Sequence, residues 1–214
     1  MLKKKPFFIV FEGIEGSGKS YQSKKLFNKL KKKNLPTILT REPGGTLSAE
    51  LIRNLILKDY FNKTQKEKFD KYTDTLLYLA ARNEHVKNKI KPALSKKKIV
   101  ICDRFIDSTI AYQVYGKKVN LKFINDIHKI ILGNLKPNIT FVLKVSHKSS
   151  KKRLLKRKKK DRYDNFSQSF YEKAQNSFLK IARKKKNYFV LESSKNDSFL
   201  EKKIFEITSK YLSK

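Results

Sequence analysis

Five short apolar runs are separated by longer amphipathic stretches along the chain. The runs are typical of strands buried on both faces of a parallel sheet, and they cover residues 7–11, 37–40, 99–102, 139–143 and 188–191. The stretches between them carry apolar residues at helical spacing and predict helices near residues 19–33, 47–58, 73–96, 107–114, 120–133, 147–157, 167–185 and from Ser198 onward. Strands that alternate with helices indicate right-handed crossovers. The pattern therefore predicts an α/β protein whose five-stranded parallel sheet is covered by helices on both faces.

A glycine-rich segment follows the first predicted strand directly. Two glycines separated by four residues precede Lys and Ser, in the series Gly13, Ile14, Glu15, Gly16, Ser17, Gly18, Lys19, Ser20. Glycines allow main-chain N–H groups to surround a phosphate, and the following helix presents its positive end to the anion. Lysine adds a positive charge, and a serine hydroxyl in this position ligates Mg²⁺. The segment predicts a binding loop for nucleotide phosphates.

An acidic and a basic residue follow the third predicted strand. Asp103 and Arg104 come directly after Ile99-Val100-Ile101-Cys102. Because ligands bind at the carboxyl edge of an open α/β sheet, Asp103 is expected beside the glycine-rich loop, where it would hold Mg²⁺ together with Ser20. Arg104 adds a bidentate anion-binding group at the same edge. Cys102 is expected to pack in the core.

The composition is strongly basic. The 214 residues include 52 Lys and Arg against 19 Asp and Glu, which gives a net charge of +33. This charge raises the possibility of nucleic-acid binding, but only eight of the cations are arginines and the lysines occur in nearly every predicted element. We interpret much of the lysine excess as compositional drift on a solvated surface. No apolar run is long enough for a membrane span, so we expect a cytoplasmic protein.

The isolated arginines indicate a second substrate. They are Arg41, Arg53, Arg82, Arg104, Arg153, Arg157, Arg162 and Arg183. Where lysine is the default cation, an arginine marks a place that needs the planar two-nitrogen fork. The chain has no Asn-Lys-x-Asp guanine-binding motif and is too short for a large remodelling ATPase. Several arginines near one site favour a second phosphate-bearing substrate, and hence a small nucleotide kinase.

Five motifs extend this interpretation to a family. They are residues 11–20, Thr40-Arg41-Glu42-Pro43-Gly44-Gly45-Thr46, Tyr78-Leu79-Ala80-Ala81-Arg82, Cys102 to Ser108 with Ala111-Tyr112-Gln113, and Asp161-Arg162. In this order and over most of the chain, they resemble the bacterial thymidylate kinase family, whose members make thymidine diphosphate from thymidine monophosphate and ATP. The resemblance implies the P-loop nucleoside monophosphate kinase fold, with a small lid, in a single domain that spans residues 1–214.

The resemblance also implies roles for individual residues. Lys19 and the loop amides of residues 13–20 would hold the ATP phosphates, with Mg²⁺ at Ser20 and Asp103. Glu15 would face the sugar hydroxyl of the monophosphate, and Tyr78 would stack on thymine. Arg82 and Gln113 match the residues that bind the base, with Ser108 and Thr109 nearby. The positions that handle the monophosphate correspond to Arg41, Arg53 and Arg104.

A basic segment at about residues 151–165 corresponds to the family's lid over ATP. Because the phosphate loop itself lacks an arginine, the resemblance places the transition-state arginines in the lid. Arg153, Arg157 and Arg162 are the candidates, of which we favour Arg157 and Arg162. Members are commonly homodimers, and the apolar helix faces near residues 47–58 and 73–90 would allow two copies to pair.

The chain departs from the family pattern at three places. Gln113-Val114-Tyr115-Gly116-Lys117 stands where the family continues Gln-Gly-x-Gly-Arg, a change that affects the shape of this loop and any phosphate or base contact of its arginine. Lys144 stands where the family has Asp, and Lys158 to Lys160 replace smaller or acidic lid residues. Neither of these last two changes removes a group assigned to chemistry. Two alternatives stay open from the sequence: a P-loop kinase of another small acceptor, such as a different nucleoside monophosphate or dephospho-coenzyme A, and a nucleic-acid-binding P-loop protein.

Overall fold

A single parallel sheet forms the centre of the molecule. The structure is a computed structural model that describes residues 5–58, 68–156, 167–195 and 197–213. In this part of the chain five strands, β1 (Phe7–Glu12), β2 (Thr37–Arg41), β3 (Ile99–Asp103), β4 (Ile139–Lys144) and β5 (Tyr188–Glu192), pair in the order β2-β3-β1-β4-β5. Every pairing is parallel. The predicted five-stranded parallel sheet is confirmed.

Helices connect the strands and cover both faces of the sheet. Their bounds are α1 (Lys19–Lys32), α2 (Leu47–Leu57), α3 (Lys71–His85), α4 (Lys91–Ser95), α5 (Ile106–Thr109), α6 (Leu121–Leu132), α7 (His147–Leu155), α8 (Gln168–Arg183) and α9 (Ser198–Leu212). Two wider, π-helical segments, Val86–Ile90 and Ile110–Gly116, continue α3 into α4 and extend α5. Helix α3 begins at Lys71, two residues earlier than predicted, because the Asp70 side chain accepts a hydrogen bond from the Tyr72 N–H and caps it.

Alternate residues of β1 point to opposite layers of the core. Phe7, Ile9 and Phe11 pack in a cluster with residues of α1 and α9. Phe8 and Val10 pack in a second cluster that includes residues of the Val86–Ile90 segment and α4. Both faces of β1 are therefore buried, as the uninterrupted apolar run predicts.

The register places the strand ends at one edge. Phe11 pairs with both Asp103 and Phe141, so the residues after β1, β3 and β4 emerge side by side. Helix α7 and the residue after it contain residues 151–156 of the predicted lid, and its remaining residues, 157–165, lie outside the described residues. No helix in the described ranges is both long and apolar enough to span a membrane.

Candidate active site

One cleft at the carboxyl edge of the sheet collects most of the residues singled out in the sequence. Its volume is about 490 Å³. All nine residues predicted to bind the acceptor line it: Glu15, Arg41, Arg53, Tyr78, Arg82, Arg104, Ser108, Thr109 and Gln113. Lys19, Ser20 and Asp103 line it as well, so the predicted phosphate loop and the predicted acceptor site share one space. Arg157 and Arg162 lie outside the described residues.

The phosphate loop is held closely by its surroundings. At Gly13, which has φ +140°, a Cβ would lie 2.6 Å from the main-chain oxygen of Leu143. At Gly16, which has φ +70°, a Cβ would lie 2.7 Å from the main-chain oxygen of Ser150. Both positions therefore require glycine, because of the space as well as the backbone conformation.

Lys19 lies buried across the loop. Its Nζ donates to the main-chain oxygen of Ile14 at 2.8 Å and to Ser17 Oγ at 3.4 Å. Burial, followed by repulsion from Arg104, lowers the pKa of Lys19 to about 8. An anion in the loop would oppose both effects and favour the charged form.

Ser20 and Asp103 form a pair of oxygen ligands at the mouth of the loop. The Ser20 hydroxyl donates to Asp103 Oδ2. Asp103 Oδ1 is buried and has no hydrogen-bond partner in the described part of the chain. A hydroxyl next to a carboxylate with an unused oxygen is the donor set that Mg²⁺ prefers, so these residues fit the ion implied by the sequence.

Arg104 joins the loop to the acceptor side of the cleft. Its guanidinium donates to Glu15 Oε1 at 2.7 Å, to the Gly13 main-chain oxygen at 3.0 Å and to Ser108 Oγ at 3.0 Å. Burial alone would lower the pKa of Arg104, but Glu15 and its other neighbours outweigh burial and raise it. The backbone of Arg104 has φ +71°, an uncommon conformation for a residue with a side chain, which points to a functional constraint at this turn.

Glu12 lies fully buried behind this turn. Its carboxylate accepts hydrogen bonds from the Phe105 N–H at 2.8 Å, the Ser108 N–H at 3.2 Å and the Ser108 hydroxyl at 2.6 Å. Burial, together with the nearby Asp107 carboxylate, raises the pKa of Glu12 to about 7. Glu12 thus supports Ser108, which in turn contacts Arg104.

Tyr112 is a cleft residue to which sequence reasoning gave no role. Its hydroxyl donates to Glu15 Oε2 at 2.5 Å, and its ring lies under the Arg104 guanidinium, 5.3 Å from centroid to Cζ. Burial and then Glu15 raise its pKa well above the ordinary value. The Ala-Tyr-Gln motif is the sequence signal for this residue, although the resemblance implies a role only for its neighbour Gln113.

Arg82 is buried at the back of the cleft with its donors directed at protein atoms. Nε and Nη2 contact Glu42 Oε2, each at 2.8 Å, and Nη2 also donates to the Phe105 main-chain oxygen at 2.9 Å. Nη1 donates to Thr109 Oγ1 at 2.8 Å and to His128 Nε2 at 2.7 Å. These contacts account for all five N–H groups of a guanidinium. In this structure Arg82 therefore orients Thr109 at the wall of the cleft.

Glu42 and His128 are the partners that sequence reasoning missed. Burial alone would raise the pKa of Glu42, but Arg82 and His85 outweigh it and hold the pKa below its ordinary value. Because Arg82 can only donate, His128 Nε2 must accept, and burial and Arg82 lower the pKa of His128 to about 3. His128 is therefore neutral at physiological pH.

The remaining predicted residues surround this centre. Arg41 is exposed and forms an ion pair with Glu50 at 3.1 Å, whereas Arg53 donates to the Pro43 main-chain oxygen at 2.6 Å. Gln113 is buried, and its Nε2 has no hydrogen-bond partner among the described residues. This leaves an amide donor available for a bound molecule at the cleft.

A phosphate loop next to an arginine-lined acceptor cleft, on a β2-β3-β1-β4-β5 sheet, defines a P-loop nucleoside monophosphate kinase. A family model described as "Thymidylate kinase" matches residues 11–204. The chain is 45% identical over 179 residues to the thymidylate kinase of Wolbachia pipientis wMel, covering 83% of this chain and 85% of the relative. It is 40% identical over 208 residues to that of Aster yellows witches'-broom phytoplasma (strain AYWB), covering 94% and 97%.

A solved structure agrees with these matches. The crystal structure of thymidylate kinase from Ehrlichia chaffeensis superposes with a TM-score of 0.74 at 33% identity, and the match covers 95% of this chain and 99% of that one. The chain belongs to the thymidylate kinase family. The matches support this family over kinases of other acceptors and over nucleic-acid-binding P-loop proteins.

Glu12→Gln should change how stability depends on pH. Since the folded-state pKa of about 7 exceeds the ordinary 4.5, folding favours the protonated carboxyl, and the wild type loses stability as the pH rises from 4.5 to 7. We expect urea unfolding to show the variant gaining about 3 kcal/mol relative to wild type over this range, then no further gain. The exposed Glu206→Gln should show no such trend; an equal trend in both variants would contradict the prediction.

His128→Phe should destabilise the protein more than His128→Gln. Phenylalanine removes the acceptor for Arg82 and leaves a buried charged donor without a partner, a loss of about 2 kcal/mol in the free energy of unfolding. Glutamine retains an acceptor near the position of Nε2 and should recover most of this loss in denaturant titrations. Equal losses in the two variants would show that packing, and not the hydrogen bond, is what His128 contributes.

Proposed function

We propose that this protein transfers the γ-phosphoryl group of ATP to thymidine monophosphate, and so forms thymidine diphosphate for thymidine triphosphate synthesis. The observation that carries the proposal is the position of Arg104. It lines the acceptor cleft and at the same time donates to Gly13 and Glu15 of the phosphate loop. An acceptor phosphate bound at Arg104 therefore lies next to the place where the loop would hold the donor.

The donor side uses the loop and its lysine. The main-chain amides of residues 13–20 and the Lys19 ammonium bind the ATP phosphates. Ser20 and Asp103 would hold Mg²⁺, which neutralises charge on the phosphate oxygens when it is bound. In-line attack by a monophosphate oxygen that is already anionic needs no strong general base, so positioning and charge neutralisation supply the catalysis.

The acceptor side separates phosphate, sugar and base. Arg41, Arg53 and Arg104 bind the monophosphate, and Glu15, held by Arg104 and Tyr112, faces the sugar. Tyr78 stacks on thymine. The free Nε2 of Gln113 and the Thr109 hydroxyl, which Arg82 orients, supply hydrogen bonds to the base, with Ser108 beside them.

The proposal also assigns roles to the lid arginines and a location to the protein. We assign Arg157 and Arg162 the stabilisation of charge on the transferring group, in a lid at about residues 151–165 of a single domain, 1–214. The substrates are ATP and thymidine monophosphate, so the proposed location is the cytoplasm, where these nucleotides occur. No specific nucleic acid is part of the proposal.

We also propose a homodimer formed through α2 and α3. These helices pack against each other and present four exposed leucines, Leu47, Leu51, Leu55 and Leu76. Leu47 is 90% and Leu51 69% exposed. Large apolar side chains that are exposed to water on one surface favour association with another copy of the chain. In a two-fold dimer the same surface of each copy forms such an interface.

Lys19→Ala should lower kcat for thymidine monophosphate by at least about 100-fold, because the donor phosphates lose their buried cation. A coupled assay of ADP release measures this rate. The control is Lys24→Ala, an exposed lysine of the same helix. Normal turnover by the Lys19 variant would contradict the proposal.

The same assay tests the acceptor with the wild type, by comparing thymidine, deoxyuridine, deoxycytidine and deoxyguanosine monophosphates and dephospho-coenzyme A. We expect thymidine monophosphate to have the highest kcat/KM. Preference for another acceptor would contradict the proposal.

Leu51→Glu should convert the dimer into a monomer, since a carboxylate at an apolar interface is left without a partner. In sedimentation velocity the wild type should run at twice the chain mass of 25.2 kDa and the variant at the single mass. Phe199→Glu is the matched control, because Phe199 is 71% exposed but lies on α9. A monomeric wild type would refute the proposed interface.

A further inference from the structure

Arg153 on α7 contacts the phosphate loop from the side opposite the acceptor cleft. Its Nη1 donates to the Gly16 main-chain oxygen at 2.9 Å. Its Nη2 donates to the main-chain oxygens of Ser193 and Ser194 at 2.7 and 2.6 Å. One guanidinium thereby joins α7, the phosphate loop and the turn after β5.

A second residue of α7 supports the same loop. The Ser150 hydroxyl donates to the Glu15 main-chain oxygen at 2.8 Å. Ser150 is also the residue that a Cβ at Gly16 would meet, so α7 and the loop are in direct contact. Ser150 and Arg153 therefore hold two consecutive carbonyl groups of the loop, those of Glu15 and Gly16.

The sheet order shows which substrate lies on this side. The cleft is lined by residues that follow β1, β2 and β3, whereas the groups that Arg153 joins follow β1, β4 and β5. Since β1 lies between β3 and β4, the loop after β1 separates the two sides. The γ-phosphoryl group must face the acceptor, so the rest of the donor nucleotide extends over the β4 and β5 side.

We propose that Arg153 is a positioning residue for ATP, an inference that rests on the proposed function. With Ser150, it turns the carbonyl oxygens of Glu15 and Gly16 away from the donor phosphates, which those oxygens would repel. It also ties the loop to the turn after β5, beside the donor nucleotide. Its Nη atoms bind main-chain oxygens, and it lies outside the cleft lining that the described residues form, so it does not act on the transferring group.

The fork of arginine is essential to this role. Nη1 and Nη2 bind carbonyls of different segments, and a lysine ammonium places its charge at a single point. We expect Arg153→Ala to raise the KM for ATP by about tenfold and Arg153→Lys by a smaller factor, while the KM for thymidine monophosphate stays within about twofold of wild type. Ser150→Ala should act in the same direction as the lysine variant. Lys148→Ala, an exposed residue of α7 outside the proposed lid, is the matched control.

The experiment combines steady-state kinetics with thermal shifts measured separately for ATP and for thymidine monophosphate. The expected result is a reduced ATP shift in the Arg153 variants and an unchanged shift with thymidine monophosphate. A lower melting temperature with both KM values unchanged would show a structural role only and would overturn the inference. A change confined to the KM for thymidine monophosphate would also overturn it.

The smaller substitutions and the ATP thermal shifts separate the role of Arg153 from a folding defect and from a failure of the proposed function. If Arg153→Ala does not fold, Arg153→Lys and Ser150→Ala test the same contacts with smaller changes. If the wild type fails to phosphorylate thymidine monophosphate, the proposed function falls, whereas the ATP thermal shifts still decide whether Arg153 positions the donor.

Discussion

The ion pair between Arg104 and Glu15 is the contact on which the geometry of the cleft depends. Glu15 belongs to the loop after β1 and Arg104 to the turn after β3, so the pair, 2.7 Å long, connects the phosphate loop to the opposite wall of the cleft. The pair is partly buried, and removing one partner would leave the other charge uncompensated, at a cost below the roughly 3–5 kcal/mol of a fully buried pair. Ser108 accepts a further hydrogen bond from Arg104, and the Tyr112 hydroxyl donates to the second carboxylate oxygen of Glu15. The loop and the acceptor wall are therefore set relative to each other before either substrate binds.

The arginines of this lysine-rich chain share a physical property. Arg82, Arg104 and Arg153 each bind three or more acceptors that lie in different directions and belong to different segments. A lysine ammonium cannot reproduce such a planar, forked pattern. The net charge of +33 therefore says little about the site, because a few guanidinium groups position its side chains and most of the cations lie elsewhere.

The sequence predicted the strands, the sheet and the phosphate loop because these depend on local patterns: uninterrupted apolar runs, helical spacing and a glycine series. It did not predict the contacts of Glu42, Arg82 and His128, which lie about 40 residues or more apart and meet only where α3 packs against α6 and against the turn after β2. Arg153 illustrates the same limit. Its place in a basic segment made it a candidate for the transferring phosphoryl group, whereas α7 directs it to main-chain oxygens. The type of a residue and the segment in which it occurs indicate that a positive charge is needed there. They do not show which hydrogen-bond acceptor the fold places next to that charge.

The charges around the loop favour the binding of anions. Arg104 and Arg153 donate to the carbonyls of Gly13 and Gly16 from opposite sides, and Lys19 lies between them. Three cations thereby contact one short loop, and burial, followed by repulsion from Arg104, lowers the pKa of Lys19 to about 8 against the opposing effect of nearby carboxylates. Phosphates would relieve this repulsion and raise the pKa of Lys19 back toward its ordinary value, so charge compensation would contribute to the binding free energy. The cations that repel one another around the empty loop are thus the groups that favour the binding of phosphate anions.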